Sequence, residues 1–196
     1  MSPVAGVLLA AGEGSRLGQP KALVRFRGER LAERGVRLLR DGGAEPVIVV
    51  TGAADIEMLG VITVHNPHWR SGMGSSLAAG LAAIPGGSAA AVIALVDQPL
   101  IGVQAVRRLI AVYRDDGASA AVAAYRGVPR NPVLLAREHW PEVLALAVGD
   151  TGARPFLRAH PELVTPVECG DTGDPADVDT PDDLARLERL AVVTRP

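Results

Sequence analysis

Short runs of almost wholly apolar residues recur along this chain, and between them the sequence switches to a helical period. Val4–Leu9 (VAGVLL), Pro46–Thr51 (PVIVVT), Val61–Val64, Ala89–Val96 and Ser119–Ala124 are each too short for a buried helix and read as buried strands. Between them, Leu31–Arg40 places Leu31, Gly35, Leu38 and Leu39 on one helical face, with Gly42-Gly43 as a stop. Gly74–Ile84 reads as a second helix. A third has the stripe Val106, Leu109, Ile110 and Tyr113 and ends at Gly117. Strands apolar on both faces and joined through helices belong to a mostly parallel sheet covered on both sides. The expected architecture is α/β, a mostly parallel central sheet with helices on both faces. The C-terminal third is less regular. Neither an internal repeat nor a low-complexity linker divides the chain, so residues 1–196 read as one domain.

The first apolar run breaks into LAAGEGSRLGQPK, Leu9–Lys21, which carries Gly12, Gly14 and Gly18 together with the cations Arg16 and Lys21. Glycine lets backbone approach a ligand closely and adopt positive φ, so that successive amide N–H groups point at phosphate oxygens. A strand ending in glycines beside fixed positive charge is suited to a nucleoside triphosphate. The alternative is an ordinary glycine-rich turn with two solvated cations. Two other glycine loops do not match. A dinucleotide fingerprint requires glycine where Leu17 stands, and a P-loop requires lysine directly after glycine, whereas Lys21 follows Gln19-Pro20. Pro20, Arg25, Arg27 and Gly28 keep the chain irregular until about Leu31, which fits an extended loop wrapping phosphates better than a helix N-terminus receiving them.

Net charge is −2 and aromatics make up 3% of residues, which argues against a nucleic-acid partner. The lone cysteine, Cys169, excludes an intramolecular disulfide and fits a reducing, cytoplasmic compartment. The opening MSPVAGVLLAAG has no Lys or Arg ahead of its apolar run, so it reads as mature protein and not as a signal peptide. No stretch has the length of a membrane span without charge or glycine.

Asp97 ends the run AAAVIALVDQP. At the carboxyl end of a buried strand it lies on the ligand-binding edge of an open α/β sheet, where a carboxylate opposite a phosphate loop suits Mg²⁺. The competing reading is a turn aspartate before proline. A second acidic group is DVDTPDDL, Asp177–Leu184. There Thr180 suits an N-cap, Pro181 the first helical position, and Asp182 and Asp183 the first turn. Asp177 and Asp179 remain, and Asp179 is the preferred second metal ligand. His65 and His68 form H-x-x-H on a loop without a third ligand. His139 and His160 stand just ahead of prolines and read as surface turn residues. Cys169 reads as a packed side chain, with no neighbouring cation to activate it. In GDTGAR, Arg154 either faces an anionic ligand or pairs with Asp150.

In order along the chain, LAAGEGSRLGQPK, HNPHWRSGMGSSL, VDQP, GVPRNPVLL, GDTGAR and DVDTPDDL resemble the MobA-like nucleotidyltransferases, most closely the molybdenum cofactor cytidylyltransferase branch. The resemblance covers about Val4 to Leu190. It implies a Rossmann-like nucleotidyltransferase fold that transfers a nucleotide to the terminal phosphate of molybdopterin and releases pyrophosphate. It also implies that Ala10, Ala11 and Gly12 lie beside base and ribose, that Gly14, Arg16 and Lys21 hold the phosphates, and that Asp97 binds Mg²⁺. Gly74, Ser75 and Ser76, with Asn66 nearby, are implied to face the base or sugar; simple N-capping is the other reading of the serines. Asn131 stands where the family often has histidine, in a segment implied to face the second substrate with Arg154. The guanylyl branch usually shows two glycines where this chain has Ala11-Gly12. The extra methyl narrows the base site and favours CTP over GTP, by about 1–3 kcal/mol.

A phosphate monoester is largely dianionic at neutral pH and attacks without a general base, which agrees with the lack of a Ser-His or Cys-His arrangement. Guanylyl transfer, or transfer to a sugar or polyol phosphate, stays as an alternative on the same fold. A carrier of molybdenum cofactor for a client molybdoenzyme is the alternative of another class. Arg16, Lys21 and Asp97 argue against the carrier, which has no need of a metal–triphosphate site.

Overall fold

The computed structural model describes residues 3–193. In chain order its elements are β1 (Val4–Leu9), a small hairpin of β2 (Arg25–Phe26) and β3 (Glu29–Arg30), α1 (Leu31–Asp41), β4 (Val47–Thr51), β5 (Ile62–His65), α2 (Met73–Ala82) and β6 (Ala90–Leu95). There follow α3 (Val103–Asp115), β7 (Ala120–Tyr125), β8 (Val128–Ala136), α4 (Trp140–Leu146), α5 (Arg154–Ala159), β9 (Val164–Glu168) and α6 (Pro181–Val193). Seven strands form one sheet in the order β5-β4-β1-β6-β8-β7-β9. Every pairing is parallel except those of β8, which runs antiparallel to both β6 and β7.

The expected strands and helices all form, with ends displaced by a few residues at most. The sheet divides the interior into two cores because successive side chains of a strand point to opposite faces. From β1, β4 and β6, Val4, Leu8, Val47, Val49, Ala90 and Val92 enter one core, closed by α1, α3 and Leu187 of α6. Ala5, Val7, Ile48, Val50, Ala91 and Ile93 enter the other, closed by Leu77 and Leu81 of α2, Val143 of α4 and Phe156 of α5. Each fully buried Val, Leu or Ile contributes roughly 1.5–3 kcal/mol. Strands that serve two cores at once are apolar at nearly every position, with the buried Thr51 at the end of β4 as the exception, which is why the runs look unbroken.

The chain moves from β1 outward to β4 and β5, then crosses back to β6 on the other side of β1. The sheet therefore has its switch point between β1 and β6, and a crevice opens at the carboxyl ends of that pair. Leu9 is in register with Leu95, and the Val96 N–H donates to the Leu9 carbonyl at 3.1 Å, so the two strands stop together. The loop that starts at Ala10 and the turn that carries Asp97 leave the sheet side by side.

The sequence reading did not anticipate β8 or β9. Both contain proline, which cannot donate to a ladder. In β8 the prolines, Pro129 and Pro132, lie ahead of the part that pairs with β6, which begins at Val133. The pairing with β7 shifts register over the same stretch, between Val122 and Ala124. Residues 128–131 thus overhang the sheet with a single partner strand. In β9, Pro166 sits on the edge strand of the sheet. The segment before α1 is likewise not wholly irregular: β2 and β3 close a hairpin through Arg27 and Gly28, both at positive φ, and bury Phe26.

Candidate active site

The glycine loop closes on itself. Ala10 N–H donates to the Val50 carbonyl and Ala53 N–H to the Ala11 carbonyl, which extends the ladder toward β4 by two residues. Gly14 then turns the chain at φ 62°, and a Cβ there overlaps the Gln19 carbonyl oxygen, so only glycine fits. A single 3₁₀ turn covers Ser15–Leu17. The Lys21 N–H returns to the Gly12 carbonyl at 3.2 Å, and the lysine stem runs along Gly12.

This turn carries the Lys21 ammonium to a point between two carboxylates. Nζ is 2.6 Å from Asp97 Oδ2 and 2.6 Å from Asp179 Oδ1. Arg16 pairs with the other oxygen of Asp179 at 3.2 Å from the rim, its side chain 67% exposed. Burial on its own pulls the Lys21 pKa down, but the Asp97 and Asp179 carboxylates outweigh it and hold the group above the ordinary lysine value. The Lys21 hydrogen bond, with Arg16 beyond it, holds Asp179 below the usual carboxylate range against its partial burial. Asp177 is turned aside and accepts from Gln98 Nε2 at 2.9 Å. Of the two leftover aspartates, Asp179 is therefore the one facing Asp97 across the lysine.

Asp97 Oδ1 is buried with no hydrogen-bond partner. A buried carboxylate oxygen costs free energy unless something meets it. Asp97 and Asp179 converge on the Lys21 ammonium, so the oxygen left over for a hard divalent cation is Asp97 Oδ1, which Asp179 would join if Lys21 turned to a phosphate; such a cation takes one or two carboxylates together with phosphate oxygens. The donor set fits that cation. Among the described residues no three His, Cys, Asp or Glu side chains gather as a metal site, so His65 and His68 do not form one. His65 lies 3.5 Å from Asp55 instead.

A cavity of about 520 Å³ opens beside Lys21 and Asp97. Ala11, Gly12 and Gly14 line one side of it, and Trp69, Gly72, Met73 and Ser76 the other. The Arg70 guanidinium stacks over Trp69 with its carbon 4.4 Å from the ring centroid. Ala10, by contrast, is buried beneath the loop. The GMGSSL segment supplies less of the wall than its resemblance implied. Gly74 is pressed against the Ala147 carbonyl. Ser75 Oγ lies 2.9 Å from the His68 and Gly72 carbonyls, which bind its single proton. Asn66 is buried and donates through Nδ2 to Ser75 Oγ at 2.9 Å and Ser76 Oγ at 3.0 Å. Of the three residues expected on α2, only Ser76 reaches the cavity, while Gly74, Ser75 and Asn66 fix the turn behind it.

A second cavity, also about 520 Å³, adjoins the first, and Leu9, Met73 and Leu95 line both. Its floor is apolar, with Leu77, Ile93 and Val133, and its rim carries Arg130, Asn131, Arg154 and Arg158. Arg130 and Asn131 come from the overhanging start of β8. Arg154 opens α5 and makes no ion pair with Asp150 among the described residues. Asp150 lines the first cavity and accepts from the Met73 N–H at 3.2 Å.

His139 and His160 are not free surface turns: they flank the buried Phe156 ring at centroid distances of 5.2 and 4.9 Å. His160 also hydrogen-bonds Glu142 at 2.7 Å, which raises its pKa. Cys169 does have a nearby cation, Arg108, but burial outweighs it and pushes the thiol up, so the packed reading stands for another reason.

Fold and site together define a nucleotidyltransferase, with a glycine loop and carboxylates at the switch point of a Rossmann-like sheet. A family model, the MobA-like NTP transferase domain, matches residues 6–164, and the chain belongs to that family. Over 198 residues it is 39% identical to nicotine blue oxidoreductase of Paenarthrobacter nicotinovorans, covering 94% of this chain and 96% of the relative. Over 196 residues it is 31% identical to molybdenum cofactor guanylyltransferase of Rhodobacter capsulatus, covering 94% and 95%. The solved structure of Rv0371c from Mycobacterium tuberculosis H37Rv in complex with manganese superposes with a TM-score of 0.78 at 27% identity, covering 96% of this chain and 99% of that one. Among the described residues no helix is long and apolar enough to cross a membrane.

Proposed function

We propose that this nucleotidyltransferase moves CMP from CTP to the terminal phosphate of molybdopterin, releasing pyrophosphate, with Mg²⁺ as the metal. The observation that carries the reading is the adjacency of two cavities with complementary linings. One has the Lys21–Asp97–Asp179 cluster and the glycine loop; the other has an apolar floor rimmed by Arg130, Arg154 and Arg158. An apolar floor suits a flat heterocycle, and guanidinium groups suit a phosphate. The relatives named molybdenum cofactor guanylyltransferase support an acceptor of this kind.

In this reading Arg16 and Lys21 hold the triphosphate, while Arg154 and Asn131 aim the acceptor phosphate from the adjoining cavity. A terminal phosphate oxygen attacks the α-phosphorus. The bond from that phosphorus to the bridging oxygen breaks, and pyrophosphate leaves with the bonding pair. Since the attacking group is already anionic, positioning and charge cancellation suffice. Asp97 and Asp179 would hold the divalent metal, which when bound would supply charge cancellation at the reacting phosphates. CTP is preferred because Ala11 and Trp69 both line the cavity, where the Ala11 methyl takes space that a second glycine would leave open, and Gly52 lies behind them. Both reach within 2.8 Å of where a Gly52 Cβ would stand.

The test is pyrophosphate release with Mg²⁺, molybdopterin and each of CTP, GTP, ATP and UTP in turn. Release with CTP alone supports the whole reading, whereas a GTP preference overturns the role of Ala11 and keeps the acceptor. The relative named nicotine blue oxidoreductase favours a second reading, redox chemistry on the same scaffold. Against it stands the missing third glycine of a dinucleotide loop, at Leu17. Turnover of nicotine blue with NADH or NADPH, and no pyrophosphate from any nucleotide, would establish it instead.

A further inference from the structure

The segment Ala147–Arg154 borders both cavities, and it is seated on the start of α2 through bare backbone. A Cβ on Gly72 would stand 2.5 Å from the Gly149 carbonyl oxygen and 2.8 Å from Asp150 Oδ1. A Cβ on Gly74 overlaps the Ala147 carbonyl oxygen, and one on Gly152 would stand 2.9 Å from the Met73 sulfur. Gly72, Gly149 and Gly152 also sit at positive φ. Glycines on both sides let the two backbones approach closely, with only the Met73 thioether and the Asp150 carboxylate beside them, and the contact sets Asp150 against the start of α2.

Asp150 has one oxygen tied down and one unassigned. Oδ1 accepts from the Met73 N–H at 3.2 Å, in the first turn of α2, where a carboxylate is favoured by the helix dipole. The same side chain lines the cavity that holds Lys21 and the glycine loop. Asp150 is exposed beside Gly72 and Met73 and pairs with no cation among the described residues, so its second oxygen meets water until a ligand enters; that oxygen repels a phosphate but can accept from a hydrogen-donating group of a nucleoside. A nucleoside offers two kinds of neutral donor, the ribose hydroxyls and an exocyclic base amine.

We infer that Asp150 is a specificity-determining residue that accepts a hydrogen bond from a neutral donor of the nucleoside, a ribose hydroxyl or the base amine, while Met73 N–H holds it in place. The inference rests on the nucleotide reading of the cavity given above. Such a bond to a charged acceptor changes affinity about ten- to a hundredfold.

The experiment measures binding without chemistry, by calorimetry of the intact chain with Mg²⁺ and CTP, 2′-deoxy-CTP, 3′-deoxy-CTP or UTP, the last lacking the amine. Wild type and Asp150→Asn are compared, with Asp150→Ala as a second variant and melting curves for all three. Asparagine still accepts from Met73 N–H through its single oxygen and turns an amide N–H₂ to the ligand, which cannot accept from an amine, while Asp150→Ala removes the acceptor for either donor. The expected result is that wild type discriminates about tenfold or more against the one analogue that lacks the donor. That ratio collapses toward one in Asp150→Ala, and in Asp150→Asn as well where the donor is the base amine, and the other ratios do not change. The analogue affected tells ribose from base. An equal loss of affinity for all four nucleotides would assign Asp150 a merely structural role and overturn the inference, as would unchanged ratios. Failure of wild type to bind any nucleotide would instead overturn the nucleotide reading itself, and this inference with it.

Discussion

Replacing Gly74 by alanine sets two well-measured effects against each other, and the structure decides the sign. Gly74 lies in the first turn of α2, where helix propensity favours alanine by up to about 1 kcal/mol. The added methyl, however, overlaps the Ala147 carbonyl oxygen and stands 2.8 Å from its carbon and 3.3 Å from the Gly149 carbonyl oxygen. These atoms are backbone and cannot rotate away, so the 147–149 segment must lift off the helix. Overpacking of this kind costs about 1–3 kcal/mol, so the net expectation is a loss of roughly 1.5 kcal/mol. For a chain of this size that is a fall in Tm of about 3–6 °C. Gly35→Ala in α1 is the matched control. Its methyl meets only the ends of the Leu8 side chain, Cδ1 at 2.6 Å and Cδ2 at 2.8 Å, which have a rotamer to change. Its loss should be smaller than that of Gly74→Ala. Urea and thermal unfolding of the two variants against wild type give the comparison. A Gly74→Ala protein as stable as wild type, or more so, would refute the close approach of the 147–149 segment to α2.

Asp97→Asn should lower the rate of pyrophosphate release by at least about a hundredfold while the chain stays folded, because Lys21 keeps Asp179; activity within threefold of wild type would remove Asp97 from the reaction. Arg154→Ala should raise the KM for molybdopterin and leave that for the nucleotide unchanged, and Arg16→Ala should do the opposite, which steady-state kinetics with each substrate varied will separate. The hydrogen bond that the His160 ring donates to Glu142, with Glu162 on its other nitrogen, raises the pKa of His160 above its usual 6.5. The folded form thus binds this proton more tightly than the unfolded chain. The resulting stabilisation is fully present below the ordinary histidine pKa and disappears as pH rises through the raised one. An imidazole titration by NMR that runs at or below the ordinary value, or a His160→Gln protein with an unchanged stability–pH profile over that window, would contradict it.

What could be read of the fold from sequence depended on whether local and tertiary demands agreed. In β1, β4 and β6 they agreed, since a strand serving two cores needs an apolar residue at nearly every position, and the run itself announces the strand. In β8 they conflicted. Pro129 and Pro132 argue against a strand locally, and only the tertiary arrangement shows that they precede the β6 pairing and overhang the sheet. The same overhang puts Arg130 and Asn131 at the second cavity, so the irregularity that hid the strand also builds the rim. A run of the form V-x-x-x-P-V-L-L-A directly after a tight turn at Arg126-Gly127 was the available signal for an antiparallel return strand.

The site divides along a similar line, by sequence distance. Lys21 and Asp97 could be paired from sequence because both follow the carboxyl ends of buried strands, and adjacency of those ends is a property of the fold class. Asp179 could be named only as a leftover acid; what brings it 2.6 Å from Lys21, 158 positions away, is the descent of the chain from β9 into α6. That descent is itself anchored, because the Val178 N–H donates to the Asp97 carbonyl at 2.8 Å. Thr180 and Asp183 then cap α6 reciprocally, through Asp183 N–H to Thr180 Oγ1 and Thr180 N–H to Asp183 Oδ2. Asp179 is therefore held between a backbone bond to the turn that carries Asp97 and a helix cap, with its carboxylate directed at the lysine. Asp150 was missed for the opposite reason. Its motif drew attention to Arg154, and nothing local in GDTGAR shows that its glycines are spaced to meet those of SGMG. That pairing of two glycine-bearing segments, distant in sequence and closely apposed through their backbones, is the signal that was available. It ties Asp150 to the first turn of α2 through the Met73 N–H, as the capped turn holds Asp179 against Lys21.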